Sequence, residues 1–190
     1  MTVPRILIVG AGPAGTACAI RLRQQGISVT LAEQSVFPRS KACGCCLGGA
    51  GIAALQTLSI EDQVQNASVG LHAWQGSLGT KDVSIKLASG LAISRERLDP
   101  ILLEQARILG ATVWQPAEVR PISMTERKVE VQVQRLDQIV PARETFDIVV
   151  IAAGLSAAGF GRWLPWEKQP HGRFGVSTTI AVNSGWDELI

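Results

Sequence analysis

The chain has 190 residues, 46% of them hydrophobic and 18% charged, a length and balance that suit one globular domain with a sizeable core, or one and a fraction. A formal net charge of +2, with no run of lysine or arginine, gives no footing for a nucleic-acid partner, and no apolar run reaches the about 18 residues of a membrane span. Cys18 stands alone and the other cysteines crowd at Cys43, Cys45 and Cys46; that is no secreted disulfide framework, so a cytoplasmic location is expected.

"RILIVG" is a short apolar run ending in glycine, the pattern of a strand buried on both faces of a parallel sheet. "AGTACAIRLRQQG" follows with Ala17, Ile20 and Leu22 on one side and Arg21, Arg23, Gln24 and Gln25 on the other, which predicts a helix ending at Gly26. "ISVTLAE" predicts the next strand and closes a βαβ unit. The opening stretch has a signal peptide's hydropathy, but Gly10, Gly12, Pro13 and Gly15 break it as a strand, turn and helix would.

Between strand and helix lies Gly10-Ala-Gly12-Pro13-Ala14-Gly15. Gly10 permits a tight turn, Gly12 lets the backbone approach a pyrophosphate, and Gly15 lets the helix pack close to the strand. Glu33 ends the second strand, placed to accept hydrogen bonds from ribose hydroxyls. A dinucleotide site is therefore expected. The acid disfavours the 2′-phosphate of NADP but does not separate NAD from FAD.

"KACGCCLGGAG" comes next, and Cys43 and Cys46 have C-x-x-C spacing. A redox pair is one reading, because a helix after Leu47 could lower one thiol's pKa. Zinc would need a second pair of ligands, so no metal is expected. Residues 63 to 93 are irregular and rich in small side chains. An amphipathic helix with Leu98, Ile101, Leu102, Ile108 and Leu109 is expected after Arg95, with Pro100 near its first turn and Asp99 favouring the positive helix end. "ATVWQPAEV" reads as a strand, "KVEVQVQRL" as a half-solvated strand through Val129, Val131 and Val133, and "QIVPARETF" as its antiparallel partner. "FDIVVIAAG" predicts a second doubly buried strand, and "RFGVSTTIAV" another strand near the end. His72 and His171 are isolated, no Ser/His/Asp set presents itself, and no catalytic residue is assigned. Trp163 and Trp166 are expected to pack on the domain rather than form a substrate lip.

"GAGPAG" with the Glu33-Gln34 of "LAEQ", "FPRSKACG", "ISRERLDPILLEQARILGATV" and "DIVVIAAG" together resemble the geranylgeranyl reductase family and its relatives among flavin-dependent monooxygenases and halogenases. The resemblance runs in order over nearly the whole chain. It implies an α/β, Rossmann-like FAD-binding domain with a parallel sheet, an inserted β-meander and the beginning of a mixed β substrate-side layer. Residues 1–62 and 94–166 would form the FAD-binding domain, and 63–93 and 167–190 part of the substrate layer. The cofactor would be FAD, held by Gly10, Gly12, Pro13, Ala14, Gly15, Glu33, Gln34, Cys43, Gly44, Arg95, Val119, Ala153 and Gly154. Arg95 would reach its phosphate or ribose side, and the end of the strand near Glu118 and Val119 would lie by the adenine. Cys43 would be a small packing residue and Gly44 a point of close backbone approach.

The same resemblance implies an FAD-dependent oxidoreductase that reduces or monooxygenates an apolar or aromatic small molecule, with NADH or NADPH as electron donor. Peripheral membrane contact would follow if the substrate were a prenyl lipid. Family members carry a later glycine-aspartate motif, and nothing like "GDAA" follows Gly154, so an N-terminal part of a larger flavoprotein is expected. The alternatives are a thiol-disulfide flavoprotein using Cys43 and Cys46, and a truncated, non-catalytic nucleotide-binding module.

Overall fold

The computed structural model describes residues 3–43, 45–154, 159–161 and 163–164. Two compact units emerge: one runs to Arg39 and resumes at Leu102, and the other spans Ser40–Ile101. These boundaries mark compactness, and they fall elsewhere than the expected functional boundaries at 62/63 and 93/94. The expected strand in "RFGVSTTIAV", His171 and Trp166 lie outside the described residues.

The first unit is built on a parallel sheet in the order β12-β1-β2-β8. Strand β1 (Ile6–Val9) is buried at all four positions and pairs with both β2 (Val29–Ala32) and β12 (Ile148–Ile151). Strand β8 (Thr112–Trp114) extends the sheet beyond β2. Helix α1 (Pro13–Gln24) crosses from β1 to β2, burying Gly15, Thr16, Ala19 and Ile20. It ends as predicted at Gly26, whose φ is +75°. There Gly26 N–H donates to Arg23 O at 2.9 Å and Ile27 N–H to Leu22 O at 3.0 Å, a paired closure that a left-handed residue permits.

A second, antiparallel sheet in the order β11-β10-β9 forms the expected meander from β9 (Ala117–Met124), β10 (Val129–Arg135) and β11 (Ala142–Phe146). Its inward residues Ala117, Val119, Val131, Val133 and Phe146 form one buried cluster with Leu7, Val9 and Ala32 of the parallel sheet. By strand alternation Ile6 and Ile8 point to the opposite face, and both are also buried. Phe160 belongs to the same cluster, with Trp163 packed against it and 6.2 Å between their ring centroids. Trp163 thus packs on this unit.

Three sequence expectations need correction here. "ATVWQPAEV" is not one strand: the chain leaves β8 after Trp114 and enters the meander at Ala117, because Pro116 has no N–H to continue a ladder. Strand β12 is not doubly buried. It is an edge among the described strands, and Ile148 is 48% exposed. In helix α4 (Arg95–Ile108), Arg95 is the first helical residue, Pro100 lies past the first turn, and Ile108 is exposed while Leu103 and Ala106 take the buried face.

The second unit holds helices α2 (Gly49–Thr57) and α3 (Glu61–Asn66) and the first part of α4. A small sheet pairs β7 (Gly90–Ala92) with β3 (Cys46–Gly48) and β4 (Val69–Gly70), and β5 (Ala73–Leu78) pairs with β6 (Lys81–Lys86) as a hairpin. Strands do therefore occupy much of 63–93. Leu55, Leu58, Ile60, Val64, Leu71, Ile93 and Leu98 are its buried apolar side chains. No helix among the described residues is long and apolar enough to cross a membrane.

Candidate functional site

The carboxyl ends of the parallel strands β1, β2 and β12 carry the candidate residues from Gly10 to Gly15, Glu33, Gln34, Ala153 and Gly154, the edge where open α/β sheets take ligands. Gly10 leaves β1 with φ +101° and donates its N–H to Ala32 O at 2.8 Å. A Cβ on Gly10 would stand 2.6 Å from Ala152 O, just past β12. A Cβ on Gly15 would stand 1.8 Å from Gly10 O. Both glycines are thus required by the close passage of turn, helix and β12.

Gly12 is the N-cap of α1, with extended backbone and no side-chain cap, and Pro13 follows in the first turn. Thr16 N–H makes the helix's first bond, to Gly12 O at 3.0 Å, and its hydroxyl donates to the same oxygen at 2.9 Å. The N–H groups of Gly12, Ala14 and Gly15 therefore precede the helical ladder. No acidic residue stands in that first turn, so the positive end of the helix dipole meets no competing side-chain charge there.

Glu33 is 3% exposed, and its carboxylate closes this turn. Oε2 accepts from Ala11 N–H at 2.8 Å and Oε1 from Ser35 N–H at 2.9 Å. Its backbone joins two sheets: Glu33 N–H donates to Trp114 O at 2.9 Å and Ala117 N–H to Glu33 O at 2.7 Å. A carboxylate offers about four acceptor sites, so two bonds leave capacity for hydroxyl donors. Gln34 beside it is exposed. Val119 is buried in β9 opposite Val133. Ala153 and Gly154, the latter at φ +58°, follow β12 at the same sheet edge.

Cys43 and Arg95 belong to the second unit, and Gly44 lies outside the described residues. Arg95 forms a two-pronged ion pair with Asp99: Nε to Oδ1 at 2.6 Å and Nη2 to Oδ2 at 2.8 Å, with side chains 13% and 1% exposed. Asp99 therefore partners Arg95 rather than the helix end. The guanidinium pKa is pushed up, first by the hydrogen bond to Asp99, with burial opposing and smaller contributions from Cys43.

None of the four cysteines is in a disulfide. Cys46 sits in strand β3, three residues before α2 begins at Gly49, so the helix end expected to lower a thiol pKa does not hold it. Burial first, then Cys45 and Cys43, raises the Cys46 pKa instead, which opposes thiolate chemistry at neutral pH. Among the described residues no group of three metal-ligating side chains is placed to hold an ion.

The chain's own residues fit a dinucleotide on two counts: an uncapped helix start behind a glycine turn, and an acceptor anchored beside it. Sequence reasoning missed Arg39, whose Nη2 stands 3.8 Å from Glu33 Oε1. It falls in a loop with no periodicity to weigh, and only its place in "FPRSK" drew notice.

Comparison with known proteins agrees with this geometry. The profile of the family described as "FAD binding domain" matches residues 4–146. A menaquinone reductase of Mycolicibacterium smegmatis is 42% identical over 55 residues, 29% of this chain and 13% of the relative. A 3-hydroxybenzoate 6-hydroxylase of Klebsiella oxytoca is 27% identical over 150 residues, 78% of this chain and 36% of the relative. The crystal structure of a p-nitrophenol 4-monooxygenase from Pseudomonas putida superposes with TM-score 0.73 at 16% identity, covering 84% of this chain and 44% of that one. That likeness shows the fold. The chain spans less than half the length of these relatives.

Proposed function

The chain belongs to the FAD-binding domain family, and from that premise we propose that it supplies the FAD-binding part of an oxidoreductase acting on an apolar or aromatic small molecule. The observation that carries this reading is the glycine turn closed by buried Glu33, with the N–H groups of Gly12, Ala14 and Gly15 ahead of the helical ladder. Those donors, with the helix dipole, suit a pyrophosphate. Glu33 and Gln34 would face the adenosine ribose, the backbone near Val119 the adenine, and Ala153 and Gly154 the cofactor at the end of β12. Cys43, Gly44 and Arg95 are proposed as further cofactor contacts. The functional division is proposed as 1–62 with 94–166 for FAD and 63–93 with 167–190 for the substrate side.

When bound, FAD supplies the hydride or oxygen chemistry, and the protein orients it and keeps the site selective. NADH or NADPH is the proposed electron donor. Similarity to a menaquinone reductase supports a reductase like those of the geranylgeranyl family, and similarity to a hydroxylase supports monooxygenation.

The test is anaerobic titration of the FAD-loaded full chain with NADH and with NADPH, followed by oxygen plus an aromatic acid or by a prenylated acceptor without oxygen. Bleaching of the flavin band by one donor, with product from one arm, is expected. Flavin that binds but is bleached by neither donor would leave only a nucleotide-binding module, and failure to take up FAD overturns the reading altogether.

A further inference from the structure

We propose that Arg39 is a specificity-determining residue of this dinucleotide site, donating hydrogen bonds to the adenosine ribose whose hydroxyl hydrogens Glu33 accepts. The inference rests on the FAD-binding reading above and adds to it a residue that the glycine fingerprint does not contain.

Arg39 closes the short loop that leaves β2 after Glu33. Its guanidinium lies over the Phe37 ring, 5.3 Å from the centroid, with Nη2 3.8 Å from Glu33 Oε1. That distance is an ion pair, too long for a hydrogen bond. Nε is buried and has no hydrogen-bond acceptor. A guanidinium carries five N–H donors, and a buried donor left without a partner bears an uncompensated desolvation cost.

The protein satisfies comparable arginines. Arg95 is forked onto Asp99, and Arg23 donates from Nε to Leu109 O at 2.8 Å and from Nη1 to Ile27 O at 3.2 Å. Arg135 shares the unpartnered Nε and, like Arg39, lies over a ring, that of Trp114 at 4.9 Å from the centroid, but no ion pair of Arg135 with a carboxylate is found among the described residues. Arg39 differs in standing beside the carboxylate of the turn.

That juxtaposition defines a ligand chemistry. A carboxylate can take only the hydrogen of a hydroxyl, and leaves the oxygen's lone pairs without a donor. A guanidinium supplies N–H groups and no acceptor, so the two side chains together complete both halves of a ribose hydroxyl. A 2′-phosphate would bring its charge against Glu33, so the pair reads hydroxyl rather than phosphate. The Arg39 side chain keeps 22% of its surface exposed, which leaves it able to reach a ligand. Lysine would offer charge without the fork.

The same ribose chemistry occurs in FAD and in a nicotinamide dinucleotide, and the experiment separates them. The full chain is titrated calorimetrically with ADP, 2′-deoxy-ADP and 3′-deoxy-ADP as wild type, Arg39→Met and Arg39→Lys. The wild type is expected to lose about tenfold or more in affinity when one of the hydroxyls is removed. Arg39→Met should lose most of that discrimination, and Arg39→Lys, which keeps charge and length and guards against misfolding of the methionine variant, should not restore it.

With whole cofactors, both variants should weaken FAD and leave FMN, which lacks adenosine, unchanged. Weakening of NADH with FAD unaffected supports the ribose contact and assigns it to the electron donor. Deoxy discrimination equal to wild type in Arg39→Met, or full rescue by lysine, overturns the inference and leaves Arg39 a charge that offsets Glu33. A wild type that binds none of FAD, NADH and ADP overturns the FAD-binding reading itself, and this inference with it.

Discussion

Arg95→Met will destabilise the Ser40–Ile101 unit by about 3–5 kcal/mol at neutral pH, the usual cost of stripping one partner from a buried ion pair. Asp99 is 1% exposed, and Arg95 supplies both of its hydrogen bonds. Without the guanidinium the carboxylate has neither water nor a counter-charge, and that uncompensated burial is the source of the loss.

Denaturant unfolding of wild type and variant at neutral pH reads this directly. Arg95→Met with Asp99→Leu should recover most of the loss, since an apolar pair of similar volume removes both buried charges. The double variant also separates two roles of Arg95. If its remaining N–H groups serve the cofactor as proposed, the double variant will fold normally yet bind FAD about tenfold more weakly. Recovery of both would make the arginine purely structural.

Gly15→Ala will cost about 3 kcal/mol or more and remove flavin binding. An alanine inside a helix ordinarily gains about 0.5–1 kcal/mol over glycine. Here the new Cβ would stand 1.8 Å from Gly10 O and 3.3 Å from the Ala152 Cβ. No side-chain rotation relieves a clash with a backbone oxygen, so α1 must move off the turn. Overpacking on that scale costs about 1–3 kcal/mol and sometimes more, and the steric effect outweighs the propensity gain. Displacing α1 also withdraws its N–H groups from the anion site, which couples the stability loss to flavin loss. Gly49→Ala in α2 is the control, because its Cβ would meet nothing closer than Ser89 Oγ at 3.5 Å. It should be neutral or stabilising by about 0.5 kcal/mol. Thermal unfolding and the visible flavin band of the two variants, side by side, decide the matter.

The turn was legible in the sequence because each of its glycines answers a separate geometric demand. Gly10 needs a left-handed φ, Gly15 needs the absence of a Cβ, and an apolar run followed by a helical period frames them. The meander was legible for the same reason, since Val129, Val131 and Val133 alternate cleanly. Pairings across a helix turn were less so. In the sequence Asp99 reads as a partner of the helix dipole because its position near the N-terminus is apparent, whereas its burial beside Arg95 is a tertiary fact.

The burial of β12 was overestimated because "DIVVIAAG" has the composition of a central strand, and composition does not say which strand stands at an edge. Arg39 was not assigned because its importance comes from the fold of the loop back toward Glu33. A loop lacks any period that would show where its side chains return. Pro116 is a strand breaker visible in the sequence itself, and it marks the boundary between β8 and β9.

The central claim is that this chain binds FAD through its adenosine diphosphate half, at the turn that Glu33 closes. The most direct measurement is a fluorescence titration of the full chain with FAD and with FMN, repeated with ADP as competitor and with Glu33→Gln. The account predicts that FAD binds, that ADP displaces it, and that FMN binds far more weakly. Loss of one charge-assisted acceptor in Glu33→Gln should weaken FAD by about tenfold to a hundredfold. FMN binding as tightly as FAD, indifference to ADP, or undiminished FAD affinity in Glu33→Gln would contradict it.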